Sequence, residues 1–272
     1  MAPWAFSSQA GRSAGVIPVG LELYSVRNEL QRDPEATVRA VAKMGYQCVE
    51  FYAPYFEWSE PQTKQMRKLL DDLGIRCFST HNASSSMNPE NIRKARDRNL
   101  ILGSKYVVMA SAGPDERRLD VDGWRAVADW LNFAADLLER SGLKAGYHNH
   151  QPEFTRVGDQ RPIEILAKYT KPSIMLQLDV GTCIEAGSDP VAWIRANPGR
   201  IRSLHCKDWS PDTEKGYKVL FGEGSADWKN IFAAAESVGG VEYYLVEQEG
   251  SRFSELETAQ RCLQAYRVAH PS

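Results

Sequence analysis

The sequence predicts an α/β fold, a single (β/α)8 TIM barrel. Three observations predict it. From residue 16 onward a short β-branched or apolar run alternates with a capped helical stretch, and the theme recurs eight times. The runs begin at residues 16, 48, 75, 106, 144, 173, 201 and 242, and eight such units in roughly 250 residues have the size of a barrel. The first run, 16–24, leads into Ser25-Val26-Arg27-Asn28 without the GxGxxG turn that a nucleotide-binding open sheet would place there.

Each helix is bracketed by start and stop signals. The first opens at Asp33-Pro34-Glu35, a side-chain cap with proline at the first helical position, and closes before Gly45. The second follows the strand 48–51, carries a capping box of Ser59 and Gln62, and ends at Gly74. The third follows strand 75–80, starts at Asn88-Pro89-Glu90 and stops at Gly103. Strand 106–109 leads to a long helix over about 122–141. Strand 144–150 is followed by a short helix at 162–169, and strand 173–178 by a helix from Asp189-Pro190 to Pro198. Strand 201–206 precedes a helix over 227–238, ended by Gly239-Gly240. The last strand is 242–246, and Ser254 with Glu257 predicts a capping box for a final helix reaching about Tyr266. Alternation of this kind implies parallel strands with right-handed crossovers.

Composition sets bounds on partners. Lys and Arg number 33 against 35 Asp and Glu, a net charge of −2 that gives no general reason to bind nucleic acid or an anionic membrane. No apolar run approaches the ~20 residues of a membrane span. Residues 1–15 are rich in Ala, Ser and Gly and lack period, so they are expected to be a disordered tail or expression remnant preceding a single domain over 16–272. They lack the basic and apolar regions of a signal peptide. The cysteines Cys48, Cys77, Cys183, Cys206 and Cys262 show no CxxC spacing and are expected to be reduced and buried. This favours a cytoplasmic location, with an exported form whose signal has been removed as the alternative.

Barrel active sites lie at the carboxyl ends of the strands. There the sequence places Glu50, His81, His148 and His150 with Glu153 beyond, Asp179, His205 with Lys207, and Glu247 with Glu249. Four of the five histidines are in this set; His270 in the C-terminal tail is the exception. Period-two alternation puts His148 with His150, His205 with Lys207, and Glu247 with Glu249 on common faces, and turns Cys206 toward the helices. A mixed His/Asp/Glu set on strands five to eight predicts a divalent-cation site for Mn²⁺, Mg²⁺, Co²⁺ or Zn²⁺. Glu50 and His81, on the far side, are expected to bind substrate hydroxyls or to serve as structural hydrogen-bonding groups. The long polar loop 210–224 reads as a lid, with Glu223 close to the ligand in its glycine-flanked end. Rim aromatics such as Tyr24, Tyr52 and Tyr217 suit the faces of sugar rings or pack as loop core. No glycine-rich phosphate loop or Arg/Lys cluster is evident, so a non-phosphorylated ligand is expected.

Seven segments occur in order: Leu21-Glu22-Leu23-Tyr24-Ser25-Val26-Arg27, Gly45-Tyr46-Gln47-Cys48-Val49-Glu50, Tyr147-His148-Asn149-His150 with Glu153-Phe154, Leu178-Asp179-Val180-Gly181, Leu204-His205-Cys206-Lys207-Asp208, Gly222-Glu223-Gly224 with Asp227-Trp228, and Tyr244-Leu245-Val246-Glu247-Gln248. On these the sequence resembles the xylose-isomerase-like sugar (phosphate) isomerase/epimerase family, a TIM-barrel family, from about residue 20 to 266. The resemblance implies a metal held by strands five to eight. Asp179, His205 and Glu247 match three family ligands. His148 stands where the family has glutamate, with His150 one pleat further on.

That His-Asn-His form is similar to a branch with inosose dehydratases and enzymes that cleave or rearrange 3-keto-glycosides. The resemblance implies an isomerase or epimerase that removes the α-proton of a keto-sugar, polyol or keto-glycoside through a metal-stabilised enediolate. A lyase or dehydratase on the same site is the alternative. The implied metal ligands are His148, His150, Asp179, His205 and Glu247. The implied catalytic groups are His148, His150, Lys207 and Glu247, and the substrate-binding groups Glu50, His81 and Glu223. Mn²⁺ is the first-choice ion. A small sugar is the expected partner, with no nucleic acid and no membrane, and the family's habit implies a homo-oligomer. An apurinic-site endonuclease shares the fold but needs a basic DNA-facing surface. A non-catalytic carbohydrate-binding barrel would have lost the ligands retained here.

Overall fold

The computed structural model describes residues 16–271, so the expected tail at 1–15 lies outside the described residues. All eight expected strands form: β1 (Val19–Glu22), β2 (Cys48–Phe51), β3 (Arg76–Asn82), β4 (Tyr106–Met109), β5 (Lys144–His148), β6 (Met175–Asp179), β7 (Ser203–Cys206) and β8 (Tyr243–Val246). They pair in chain order, all parallel, and β8 returns to β1 to close the barrel. β1 is shorter than the predicted run. The Glu22 side chain accepts the Tyr24 N–H at 2.6 Å and turns Leu23–Val26 into a 3₁₀ helix. β3 and β6 run further than predicted and carry His81 and Asp179 inside the sheet.

Ten α-helices form among the described residues: α1 (Arg27–Arg32), α2 (Pro34–Met44), α3 (Glu60–Leu73), α4 (Ile92–Leu102), α5 (Val121–Glu139), α6 (Pro162–Tyr169), α7 (Val180–Glu185), α8 (Pro190–Ala196), α9 (Trp228–Ala234) and α10 (Glu255–Ala269). The caps at Asp33 and Ser59 are present, the latter as a full capping box. α4 starts about one turn later than expected, because Asn88 Oδ1 accepts the Asn91 N–H at 2.8 Å and caps a turn instead. α9 passes into a π-helical turn, Ala235–Gly239. At α10 only half of the expected box forms. Ser254 Oγ accepts the Glu257 N–H at 3.3 Å, while the Glu257 carboxylate turns to Arg261 at 2.7 and 2.9 Å. The short helices α1 and α7 were not expected, and α7 begins directly on the end of β6 with Asp179 as its cap.

Apolar side chains fill two zones. Between strands and helices lies the main core. Along α5 it takes Trp124, Val127, Ala128, Leu131, Ala134, Ala135 and Leu138, a helical 3–4 spacing that presents one face to the sheet. Each large buried side chain there contributes about 1.5–3 kcal/mol. Inside the barrel, toward the amino ends of the strands, lies a smaller plug of Cys48, Tyr106, Val108, Met175, Tyr243 and Leu245. A register shift between Val49 and Glu50 leaves Phe78 as the extra residue, and its ring stacks on Tyr243 at 5.1 Å. Gly20 permits the closeness of β1 and β2, since a Cβ there would lie 2.4 Å from Cys48 Sγ. All five cysteines are free and buried. No described helix is long and apolar enough to cross a membrane. The apolar plug leaves only the carboxyl end of the barrel open to polar chemistry.

Candidate active site

Alternation along six of the strands turns polar side chains inward near the carboxyl rim. β1 gives Glu22, β2 Glu50, β3 His81, β5 His148, β6 Gln177 and Asp179, and β7 His205. Register sets His148 beside Gln177 and Asp179 beside His205. Lys207 and Glu247 follow just beyond β7 and β8. All of these are buried. They surround a cleft of about 320 Å³ lined in part by Glu22, Tyr24, Tyr52, His81, His148, His150, Glu247 and Glu249. A larger open groove of about 600 Å³ lies elsewhere, along α2 and α3, and contains none of these residues.

His148, Asp179, His205 and Glu247 each offer a ligand atom, all within 4.8 Å of one another. Two atoms in this group are buried without a hydrogen-bond partner among the described residues, His148 Nδ1 and Asp179 Oδ2. Asp179 Oδ2 lies 3.9 Å from His148 Nε2 and 3.7 Å from Lys207 Nζ. Its other oxygen, Oδ1, accepts the Thr182 N–H at 2.8 Å, so the carboxylate is fixed with one oxygen directed into the group. Buried polar atoms are ordinarily paired. An imidazole and carboxylate set with unspent valence, and with Cys206 packed among apolar residues instead, could hold a divalent cation.

The electrostatics agree. Five carboxyl groups gather here, Glu22, Glu50, Asp179, Glu247 and Glu249, and the last three face the ammonium of Lys207. Lys207 Nζ is 3.6 Å from Glu247 Oε1 and also pairs with Glu249. Burial opposes its charge, but Glu247, Asp179 and Glu249 outweigh burial and hold its pKa well up. Burial raises Asp179 to about 6 against the opposing pull of Lys207. Burial and then the Lys207 charge bring His150 down to about 4. Burial, followed by the charge of Glu247, lifts Glu22 well above the carboxylate range.

Glu50 is the hub beneath the cleft. Its Oε2 accepts from His205 Nε2 at 2.8 Å and its Oε1 from Gln177 Nε2 at 3.0 Å, while His81 Nε2, hydrogen-bonded to Gln177 Oε1 at 2.7 Å, lies 3.1 Å from Oε2. On the other side of the ring, His205 Nδ1 meets Glu247 Oε2 at 2.5 Å. Glu50 therefore fixes one histidine nitrogen and turns the other toward the cation set, the role that a second carboxylate commonly plays behind a metal-bound imidazole.

The structure brings together most of the expected site residues. His150 lies just past β5 on the cleft wall, its ring centroid 4.9 Å from that of His148 and outside the four-residue group. Glu153 accepts its N–H at 3.0 Å and the Tyr147 hydroxyl at 2.6 Å, which anchors that turn. His81 reaches the cleft. Glu50 does not, since it is fully buried and occupied by His205, His81 and Gln177; its geometry is that of a support rather than a hydroxyl binder. Glu223 is not brought to the cleft either. It points outward and is clamped by Arg252 at 2.7 and 3.0 Å.

The loop read as a lid is tied down. The Asp208 carboxylate accepts the N–H groups of Trp209, Gly222, Gly224 and Ala226 and Nε1 of Trp228, at 2.9–3.2 Å. Gln248 Nε2 adds a bond to the Tyr217 carbonyl at 2.6 Å. Sequence reasoning missed Glu22, Gln177 and Asp208 as site-shaping groups. The signal for Gln177 was its place two residues before Asp179 on the same strand face.

Comparison with known proteins adds to this geometry. The model of the xylose isomerase-like TIM barrel family matches residues 38–266. The chain is similar to the inosose dehydratase of Clostridium beijerinckii, 28% identical over 142 residues, covering 46% of this chain and 47% of that protein. It is also similar to the inosose dehydratase of Geobacillus kaustophilus, 25% identical over 177 residues, covering 54% and 57%. The chain thus spans about half the length of the curated relatives it matches. Among solved structures, a sugar phosphate isomerase/epimerase from Parabacteroides distasonis superposes with a TM-score of 0.78 at 28% identity, over 98% of this chain and 99% of that one.

Proposed function

The chain belongs to the xylose isomerase-like TIM barrel family, and from that premise we propose that it is a divalent-cation-dependent isomerase or epimerase of a neutral polyhydroxylated ketone, acting by removal of the proton α to the carbonyl. The observation that carries this reading is the unspent valence of the cleft, Asp179 Oδ2 and His148 Nδ1 buried without partners inside a compact His/Asp/Glu group. His148, Asp179, His205 and Glu247 would hold the cation, with Mn²⁺ as first choice and Mg²⁺, Co²⁺ or Zn²⁺ as alternatives. When bound, the cation supplies polarisation of the carbonyl and stabilisation of the charge left by the departing proton.

The chain's own residues do the rest. His150, a neutral imidazole on the cleft wall, takes the α-proton. Glu247, across the cleft just beyond β8, is the group on the opposite side. Lys207 donates to the oxygen on which charge develops or to the neighbouring hydroxyl. Its ammonium is held at that seam by Asp179, Glu247 and Glu249. The cleft wall contains three glutamates, and the neighbouring Lys207 is already paired with Asp179, Glu247 and Glu249, which supports a neutral ligand over a phosphate ester.

A second reading is dehydration on the same site. His148 stands where the family has glutamate, so the groups facing the substrate from β5 and β8 are unequal. Unequal groups suit loss of a leaving group better than symmetric epimerisation, and the similar inosose dehydratases carry that name. Both readings are tested by incubating the Mn²⁺-loaded protein in D₂O with an inosose, a 3-keto-glucoside and a ketohexose. Deuterium at the α-carbon of an isomeric product supports the first reading, and a product lacking water the second. No exchange with any of the three counts against both.

A further inference from the structure

Glu22 is a buried carboxyl that the proposed reaction does not use. It is 1% exposed. Its Oε2 accepts the Tyr24 N–H, while its Oε1 has no hydrogen-bond partner among the described residues. Glu50 is its register partner on β2 and is spent on His205, His81 and Gln177. Of the groups close enough to hold a cation, His148, Asp179, His205 and Glu247 come from β5 to β8, while Glu22 stands in a second group with Glu50 and His81 and next to β8. What Glu22 shares with its neighbours is the cleft, which it lines together with Tyr24 and Tyr52.

Those two rings meet edge to face, with centroids 5.2 Å apart and planes at 90°. The Arg27 guanidinium lies 4.7 Å from the Tyr24 centroid and donates to the Glu249 carbonyl at 2.9 Å, which braces the corner against the loop after β8. An aromatic corner covers C–H faces. A carboxyl oxygen without a partner wants a hydroxyl donor. The two together have the chemistry of a site for a polyhydroxylated ring.

We propose that the β1–β2 side of the cleft is a ring-binding subsite in which Glu22 Oε1 accepts a hydroxyl of a neutral polyhydroxylated ring while Tyr24 and Tyr52 cover its C–H face. The proposal rests on the reading of the substrate as such a ketone and deepens it. Glu22 then sets which carbon of the ring faces the cation-competent group across the cleft. An anionic substituent on the Glu22 side meets the Glu247 and Glu249 carboxyls on the same cleft wall and is rejected.

The test is ligand affinity by calorimetry on the Mn²⁺-loaded protein, using an inosose, a 3-keto-glucoside and a ketohexose. The variants are Glu22→Ala, Glu22→Met, which keeps the side-chain length, Glu22→Gln, which restores an acceptor oxygen, and Tyr52→Ala. Bound Mn²⁺ and thermal stability are measured alongside. For the best-bound ligand, Glu22→Ala and Glu22→Met are expected to weaken binding by about tenfold or more, with Mn²⁺ content unchanged. Glu22→Gln recovers part of the loss, and Tyr52→Ala weakens binding without altering Mn²⁺ content. If Glu22→Ala fails to fold, Glu22→Met decides. Affinity within about twofold of wild type overturns the subsite. So does a fall in Mn²⁺ content, which would make Glu22 a cation ligand, and so does a wild type that binds none of the three. Wild-type α-proton exchange is read separately. Exchange with unaltered affinity in the Glu22 variants sinks the subsite alone, and binding without exchange sinks the proposed reaction alone.

Discussion

Glu50→Gln removes one charge beneath the site and almost no volume. In the wild type, Glu50 accepts from His205 Nε2 at 2.8 Å on one oxygen and from Gln177 Nε2 at 3.0 Å on the other, with His81 Nε2 3.1 Å from the first. A glutamine amide cannot accept on both sides. Either its NH₂ faces the two imidazoles or it faces the Gln177 NH₂, so a buried donor is left against a donor. Gln177 has no free adjustment, because its Oε1 already bonds His81 Nε2 at 2.7 Å. Leaving one buried donor unsatisfied costs roughly 1–3 kcal/mol.

Where the new NH₂ faces His205, the clash is relieved only if His205 shifts its proton to Nδ1, the nitrogen that faces Glu247 and the cation set. Loss of such a supporting partner typically weakens metal affinity by about 10–100-fold. The assay is a competition titration of Mn²⁺ against a metal indicator, with thermal melts of the metal-free protein alongside. The expected result is a Mn²⁺ affinity lower by about 10–100-fold and a melting temperature lower by a few degrees. A Mn²⁺ affinity within about twofold of wild type, with only KM for the ketone raised, would refute this reasoning. That outcome would restore Glu50 to the substrate-binding role expected from its position in the sequence.

Further predictions concern the surroundings. Burial raises the Glu153 carboxyl to about 8, so the folded protein holds its proton more tightly than the unfolded chain, and stability should fall as pH rises from about 4.3 to about 8, by up to about 1.4 kcal/mol per pH unit. Melting curves across that window should show the decline for wild type and a flatter profile for Glu153→Gln; equal slopes would remove Glu153 as its source. Asp208→Ala strands five N–H donors and should lower stability by about 2–4 kcal/mol, with new proteolytic cleavage in the 209–228 loop. An uncleaved loop would show that Asp208 is not its clasp. Glu223→Ala breaks only an outward pair with Arg252 and should leave KM and kcat within about twofold of wild type, whereas a large rise in KM would return Glu223 to the cleft.

The barrel was legible because its signals are local. Asp33-Pro34, Ser59 with Gln62, and the glycines at 45, 74 and 103 each mark a helix end by short-range chemistry, and all appear where expected. The clustering of His148, Asp179, His205 and Glu247 was legible too, because strand ends and a period of two suffice to converge them. Glu22 was not, because the first apolar run reads through to Tyr24 and leaves Glu22 in mid-strand. Only the Glu22–Tyr24 hydrogen bond, which ends β1 early, puts it on the rim. Glu50 was placed on its strand correctly, but its partners come from β3, β6 and β7, and alternation within one strand carries no information about contacts across a barrel. Glu223 misled for a related reason. Glycines on both sides describe a close backbone turn, not which surface the turn faces.

In the proposed function a divalent cation held by His148, Asp179, His205 and Glu247 enables removal of an α-proton in this cleft. The most direct measurement takes wild type and Asp179→Asn after chelation and reloading with Mn²⁺, and reads bound metal and deuterium wash-in on the same samples. About one Mn²⁺ per chain with exchange is expected in wild type, and loss of both in Asp179→Asn. Equal metal content and equal exchange in the two proteins would contradict it.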